Sequence, residues 1–248
     1  MQHNNCPGFK NAVKRPKLDK FEGDNFFDLK SQEVEISTGT VKEYDFKSDK
    51  VKKFIDSKLK SQKKSPENFR NNFLTQFQTL IGQKLRKDAK VFFFGSSYTG
   101  LNLKQSDLDL IVNIPSLNRK NNSKKASAYL QQLFYILKDH RRLLKDYELA
   151  NFSIRLRAAV PVMKFDIKPA RNSSLPKTNN SLSVDININS TEGLVNSHLI
   201  YVLTQIEPKF KYLVLLMKIW SHKMQINDAP TQKLSSYTLT LLLIFYLQ

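Results

Sequence analysis

The chain has 248 residues and a mass of 28.8 kDa, enough for one sizeable hydrophobic core or two modest ones. Its 40 Lys and Arg against 22 Asp and Glu give a net charge of +18 and a pI near 9.8, which favours a polyanionic partner, nucleic acid before a membrane surface. The lone Cys6 excludes an internal disulfide and fits a reducing compartment. The N-terminus lacks the apolar stretch of a secretory signal, and the longest apolar run, residues 239–247, is too short to span a bilayer.

The N-terminal part of the chain is polar and strongly basic. Residues 1–46 have no sustained hydrophobic periodicity and are interpreted as a mobile arm, to which no fold is assigned. Within it, residues 14–17 (Lys-Arg-Pro-Lys) are a candidate nuclear address, although such a cluster arises by chance in any Lys-rich tail. The Lys-rich residues 52–64 are either a solvated helix face or an RNA contact, and solvation is the default interpretation.

The first predicted helix begins at Ser65-Pro66-Glu67, which combines a capping serine, a proline in the first turn and an acid near the positive end of the helix dipole. It should run to about Lys87 with one apolar face. The next long helix is predicted from Asn121 to Asp139.

The strand signals lie in the middle of the chain. Five strands are predicted at residues 90–94, 107–113, 152–157, 160–167 and 182–188. From Val195 onward the strand signal disappears, and Pro208 and Ser235 begin two further helices. The fold class is therefore α+β. A catalytic domain of about five strands covers residues 88–190, and a helical region is formed by residues 47–87 and 191–248.

The most informative motif is Gly95-Ser96, followed after ten residues by Asp107-Leu108-Asp109. Side chains alternate across a strand, so Asp107 and Asp109 should share one face, with Cα atoms roughly 6 to 7 Å apart. Two such carboxylates can hold a pair of Mg²⁺ ions about 3.5 to 4 Å apart. Gly95 would allow a close backbone approach, and Ser96 could bind phosphate oxygens.

An exposed strand beside an ordinary Gly-Ser turn is the alternative interpretation of this motif. The combination of two apolar strands with the turn and the paired acids is much rarer than an Asp-x-Asp pair alone, and it favours nucleotidyl transfer. Such chemistry usually requires a third carboxylate, for which Asp166 and Asp185 are the candidates. Alternation of residues 182–188 places Asp185 on the open face, whereas Asp166 lies at a strand end and should be solvated.

Beyond the motif, the chain resembles a known family in six blocks. These are residues 160–165, 184–189, 193–196, 218–220, 225–228 and 234–237. The chain resembles the template-independent cytoplasmic poly(A) polymerases and terminal uridylyltransferases of the DNA polymerase beta-like nucleotidyltransferase superfamily, most of all the germline-development poly(A) polymerase type. The resemblance implies a nucleotidyltransferase palm with an incomplete helical central domain, because the family continues beyond the position of Gln248.

The resemblance also implies the site residues. Asp107, Asp109 and Asp185 would be the catalytic triad that binds two Mg²⁺ or Mn²⁺ ions. The nucleotide-binding residues would be Gly95, Ser96, Asn196, Lys218, His222, Ser236 and Tyr237. The implied ligands are phosphate for both serines, the ribose for Asn196, the β and γ phosphates for Lys218 and the base for Tyr237. His222 stands where family members often carry a second lysine.

The implied function is transfer of AMP from ATP to an RNA 3′ hydroxyl, with release of pyrophosphate. The alternatives are uridylyl transfer by the same residues and a truncated, non-catalytic isoform that acts as a binding module. No RNA-recognition module is visible in the sequence, so an RNA-binding partner protein is expected to choose the target. We expect a cytoplasmic location, with the nucleus as the alternative, no membrane partner, and an exposed apolar patch on the incomplete helical region.

Overall fold

The computed structural model describes residues 53–57, 66–103, 106–117, 122–139, 143–175, 181–227 and 233–247. The predicted arm at residues 1–46, most of the Lys-rich stretch and the capping Ser65 lie outside the described residues. Among the described helices, none combines the length and the apolarity needed to cross a membrane.

The described chain forms six helices and five strands, besides a short helical segment at residues 53–57. In chain order they are α1 (Pro66–Lys84), β1 (Lys90–Phe93), α2 (Gly95–Thr99), β2 (Leu108–Asn113), α3 (Asn122–Asp139), β3 (Tyr147–Arg155), β4 (Val162–Pro169), β5 (Leu182–Ile188), α4 (Thr191–Ile206), α5 (Pro208–Lys223) and α6 (Ser236–Leu247).

Two element boundaries differ from the sequence prediction. Helix α1 ends at Lys84 and not at about Lys87. The N–H groups of Leu85 and Arg86 both donate to the Ile81 carbonyl, and the second of these bonds spans five residues, a pattern that closes helix C-termini. Strand β3 begins at Tyr147, before the predicted start at residue 152. A register shift between residues 150 and 153, where Asn151 has φ 53°, hides the strand's first half by interrupting its alternation.

The five strands form one sheet in the order β1-β2-β5-β4-β3. Strands β2 and β5 are parallel neighbours, and the other three pairs are antiparallel. The register pairs Asp109 with Asp185 across β2 and β5, and Asp185 with Lys164 across β5 and β4. The topology therefore brings together charged residues that are distant in sequence.

The main core lies on one face of the sheet, which is covered by α1 and α3. Residues 47–87 are expected from the sequence to join the helical region, but α1 packs against the sheet instead. Its aromatic side chains account for this, since Phe73 lies edge-on to Tyr147 and its ring centroid is 6.3 Å from that of Phe165. Ile55, in the short helical segment, instead packs in a second cluster with α4, α5 and α6.

Helix α6 contributes little to the second cluster. Leu243 is 8% exposed and packs inward, whereas Phe245 and Tyr246 are 79% and 84% exposed. The described surface therefore includes an apolar face on α6.

Candidate active site

Three carboxylates meet on the open face of the sheet. Asp107 directly precedes β2, Asp109 lies within β2, and Asp185 is the register partner of Asp109 on β5. Between the outer two lies the ammonium group of Lys164, on β4. Its Nζ is 3.0 Å from Oδ2 of Asp107 and 3.2 Å from Oδ1 of Asp185.

Burial and mutual repulsion shape the electrostatics of this cluster. Burial, then the neighbouring charges of Asp185 and Asp107, raise the pKa of Asp109 to about 7. Burial also raises the pKa of Asp185, against the opposing influence of Lys164. The cluster therefore carries more negative charge than its surroundings favour, and a bound cation would relieve it.

The donor set fits a divalent cation. Oδ1 of Asp185 is buried and lies 3.2 Å from Nζ of Lys164, but it accepts no hydrogen bond from the described residues, and Lys164 donates to Oδ2 at 3.4 Å. Carboxylate oxygens are the ligands that Mg²⁺ and Mn²⁺ prefer. In the arrangement of the described residues, no three His, Cys, Asp or Glu side chains form a ready ligand set. Lys164, which lies between two of the carboxylates, would have to move aside.

Gly95 approaches the carboxylates closely. Its φ is +59°, and a Cβ added there would lie 2.5 Å from Oδ2 of Asp109. Its N–H donates to Oγ of Ser197 at 2.7 Å, and that hydroxyl donates to the Gly193 carbonyl at 2.6 Å. Ser197 therefore fixes the start of α4 against the Gly95 turn.

A cavity of about 1040 Å³ opens beside the carboxylates, between the Gly95 turn and the helices α4, α5 and α6. Its lining includes the predicted residues Gly95, Ser96, Asp107, Asp109, Asn196, Lys218, His222, Ser236 and Tyr237. Asp185 adjoins this lining through Asp109. The structure thus brings the predicted residues into one site, although they come from separate elements.

The cavity lining also carries a buried cation and an aromatic ring. Lys218 is 8% exposed, its Nζ donates to the Leu101 carbonyl at 2.8 Å, and burial lowers its pKa to about 8. His222, one turn further along α5, is exposed. The Ser236 hydroxyl accepts a hydrogen bond from Asn227 at 2.9 Å, and Tyr237 follows it at the start of α6.

A match to a protein family establishes which family this chain is related to. Residues 48–205 match the family described as poly(A) RNA polymerase, mitochondrial-like, central palm domain. This chain belongs to that family. The resemblance to the poly(A) and poly(U) polymerase branch of the nucleotidyltransferases is therefore confirmed.

Curated relatives of this palm domain include two kinds of polymerase. Over 169 residues it is 34% identical to Poly(A) RNA polymerase GLD2 of Danio rerio, covering 67% of this chain and 30% of that protein. Over 180 residues it is 30% identical to the GLD2 protein of Homo sapiens, covering 70% and 33%. Terminal uridylyltransferase 7 of Homo sapiens is 31% identical over 159 residues, covering 64% and 10%. The matched region thus spans a third or less of each relative.

Solved structures confirm the fold of the palm domain. The Cid1 poly(U) polymerase bound to MgGTP superposes with a TM-score of 0.60 at 24% identity, covering 80% of this chain and 56% of that one. A Cid1 mutant bound to MgATP gives a TM-score of 0.59, covering 81% and 57%. The predicted α+β palm of about five strands is therefore correct.

Three site residues of the palm domain are not predicted from the sequence: Arg70, Lys164 and Ser197. A signal existed for Lys164, which alternates with the buried Met163 and Phe165 and so must face the carboxylates. Arg70 interrupts the buried face of α1, where a charged residue is unusual. No local pattern marks Ser197, because its partners lie in a different element.

Asp166, the rejected candidate for the third carboxylate, lies away from the cluster. Its Oδ2 accepts a hydrogen bond from Nδ2 of Asn151 at 2.7 Å, and its register partner on β5 is Ser183. Asp185 is the residue that stands beside Asp109. The geometry therefore places Asp185, and not Asp166, beside the other two carboxylates.

Proposed function

We propose that the chain is a template-independent RNA adenylyltransferase, which transfers AMP from ATP to the 3′ hydroxyl of RNA and releases pyrophosphate. One observation carries the proposal. Three carboxylates lie at the edge of a cavity, and the lining of this cavity also includes a buried lysine and an aromatic ring. The names of the GLD2 relatives support ATP as the nucleotide.

Asp107, Asp109 and Asp185 would hold two Mg²⁺ or Mn²⁺ ions, in keeping with the magnesium nucleotides named for the Cid1 structures. Bound divalent ions lower the pKa of an attacking hydroxyl and neutralise the charge that develops on the leaving group. Because burial disfavours the ionised form of Asp109, a bound cation would stabilise this carboxylate most. Lys164 would give up its contacts to Asp107 and Asp185 and become available to an anionic substrate.

The cavity residues would position the nucleotide triphosphate. Ser96, beside the Gly95 backbone, and Ser236 would donate to phosphate oxygens. Lys218 would turn from the Leu101 carbonyl toward the β and γ phosphates, where an anion would stabilise its protonated, positively charged form.

The sugar and the base would be held by side chains from two helices. Asn196 of α4 would bind the ribose and Tyr237 of α6 would stack on the base, a contact worth roughly 1 to 3 kcal/mol. His222 lies one turn beyond Lys218 in the same lining and would lie near the phosphates.

The RNA would be attracted by the chain's net charge of +18. Its 3′ hydroxyl would approach Asp185 from the open face of β4, where Lys164 lies. We further propose that an RNA-binding partner protein supplies target choice and that the protein acts in the cytoplasm.

Uridylyl transfer is the second candidate, since Terminal uridylyltransferase 7 is 31% identical to the matched region. Incubating the purified chain with end-labelled RNA and each nucleoside triphosphate in turn, with Mg²⁺ and then Mn²⁺, separates the candidates. Extension with ATP above the other nucleotides supports adenylyl transfer, and extension with UTP above ATP replaces it with uridylyl transfer. A folded chain that binds RNA but extends it with no nucleotide would be a non-catalytic module.

A further inference from the structure

Arg70 is a buried arginine on the sheet-facing side of α1. The residue is 4% exposed, and it follows the core residue Phe69 directly in the sequence. Burial lowers its pKa, an effect that the nearby charges of Asp109 and Asp107 oppose. Arginine is almost never fully buried without partners, so its contacts must account for its position.

The guanidinium group joins two separate segments of the site. Nη1 donates to Oγ of Ser97 in α2 at 2.7 Å and to the carbonyl of Asp107 at 3.3 Å. Nη2 donates to the carbonyl of Ser106. One planar group thus connects the helix that begins at Gly95 with the segment that carries the first carboxylate.

The backbone of that second segment lies outside the strand pairing of the sheet. The paired register of β2 begins at Leu108, so the carbonyls of Ser106 and Asp107 lie outside the described strand ladder. Arg70 supplies the hydrogen bonds that a neighbouring strand would otherwise provide. The fork geometry of arginine suits two adjacent carbonyls, whereas a lysine offers only a compact point charge.

We propose that Arg70 is a positioning residue for nucleotidyl transfer: it sets the distance between α2 and the segment at residues 106–107, and through it the placement of the Asp107 carboxylate. This proposal rests on the proposed function. It predicts that the planar, forked shape of the guanidinium group matters as well as its positive charge, because the charge alone does not supply the hydrogen bonds to the two carbonyls.

The test compares Arg70→Lys and Arg70→Ala with wild type in the full 248-residue chain. Mn²⁺ affinity is measured by electron paramagnetic resonance, and kcat and KM for ATP are measured on RNA. Arg70→Lys should weaken Mn²⁺ binding and lower kcat, each by about 10- to 100-fold as for other groups that orient metal ligands, with KM for ATP changed by less than about 3-fold. Free guanidinium at millimolar concentration should restore part of the Mn²⁺ affinity of Arg70→Ala.

Arg86→Ala is the matched control. Arg86 also bridges several partners with its guanidinium group, namely Asp88, Ser116 and Tyr129, and none of the three lines the cavity. This variant should keep wild-type Mn²⁺ affinity and kcat, and guanidinium should not change them.

Two results would overturn the positioning role. The first is a folded Arg70→Lys with Mn²⁺ affinity and kcat within about 2-fold of wild type. The second is a loss that follows only the folded fraction seen by circular dichroism, with no rescue by guanidinium. If wild type binds Mn²⁺ but extends RNA with no nucleotide, the proposed function fails, while the metal titration of Arg70→Lys still decides the positioning role.

Discussion

At the scale of single residues, the carboxylate cluster is held together against its own repulsion. Asp109 pairs with Asp185 in register, and Lys164 offsets part of the charge of Asp107 and Asp185. Such an arrangement costs folding stability and is useful only if a cation or a substrate binds there. Substitutions at Asp185, Asp109 and Gly95 test this balance, with Asp166→Ala and Gly82→Ala for comparison.

Asp185→Ala should abolish transfer, whereas Asp166→Ala should be nearly silent. The first removes a proposed metal ligand, so the rate should fall at least ~10²-fold, by analogy with the loss of one preorganised charge-stabilising group. The second removes a carboxylate bonded to Asn151, so stability should change by less than roughly 0.5 kcal/mol. Rates are measured on labelled RNA after circular dichroism has shown both variants folded. The reverse pattern would mean that the third carboxylate is Asp166 of β4 and not Asp185 of β5.

Asp109→Asn should change how stability depends on pH. The pKa of Asp109 is about 7 in the folded state and 3.8 ordinarily, so its stabilising contribution is complete below about pH 4 and is lost as pH rises through 7. The amide stays neutral, so the metal-free variant should unfold with a free energy higher by roughly 1 to 3 kcal/mol at pH 8. Urea unfolding in EDTA at several pH values measures this. An unchanged slope between pH 4 and 7 would refute the burial of this charge.

Gly95→Ala should impair activity more than stability. The new Cβ would lie 2.5 Å from Oδ2 of Asp109, at a backbone φ of +59° that disfavours alanine. The backbone penalty should be about 1 kcal/mol, whereas displacement of the carboxylate should lower kcat at least ~10-fold. Gly82→Ala, where no atom lies within 4 Å of the added Cβ, is the control. Equal kcat for the two variants would contradict the close approach.

For helices and strands, the sequence pattern predicted local secondary structure well, but it predicted contacts between elements poorly. Alternation was enough to place Asp185 on the open face, because strand side chains obey it wherever the register is regular. It failed at the start of β3, where the bulge at Asn151 breaks the period. The interrupted apolar face of α1 marks Arg70 as unusual, but its contacts, like those of Ser197, are with residues in other elements, and no local pattern reveals those contacts.

Ser197→Ala tests how α4 is attached to the Gly95 turn. The hydroxyl is 6% exposed and bonds both the Gly95 N–H and the Gly193 carbonyl, so its removal leaves a part-buried N–H without this acceptor. The expected cost is about 1 to 3 kcal/mol in chemical unfolding. Gln205→Ala, at an exposed position of the same helix, should cost far less. If both variants unfold at the same denaturant concentration, Ser197 does not fix α4.

At the scale of the whole molecule, the exposed face of α6 should govern association and not folding. Phe245→Lys should change the free energy of unfolding by less than roughly 0.5 kcal/mol, because that side chain is 79% exposed. Sedimentation velocity should show less self-association, since an apolar patch is removed. Leu243→Lys, at an 8% exposed position of the same helix, should destabilise the fold strongly. Equal destabilisation by both would mean that Phe245 is part of the core.

We propose that the carboxylate cluster catalyses nucleotidyl transfer to an RNA 3′ hydroxyl. The most direct measurement is single-turnover extension of a labelled RNA by the full chain with ATP and Mn²⁺, compared with the same RNA ending in a 3′-deoxy nucleotide. We expect extension of the first RNA only, and its loss in Asp109→Asn. Extension of both RNAs, undiminished extension by Asp109→Asn, or no extension by a folded, Mn²⁺-bound wild type with any nucleotide would contradict it.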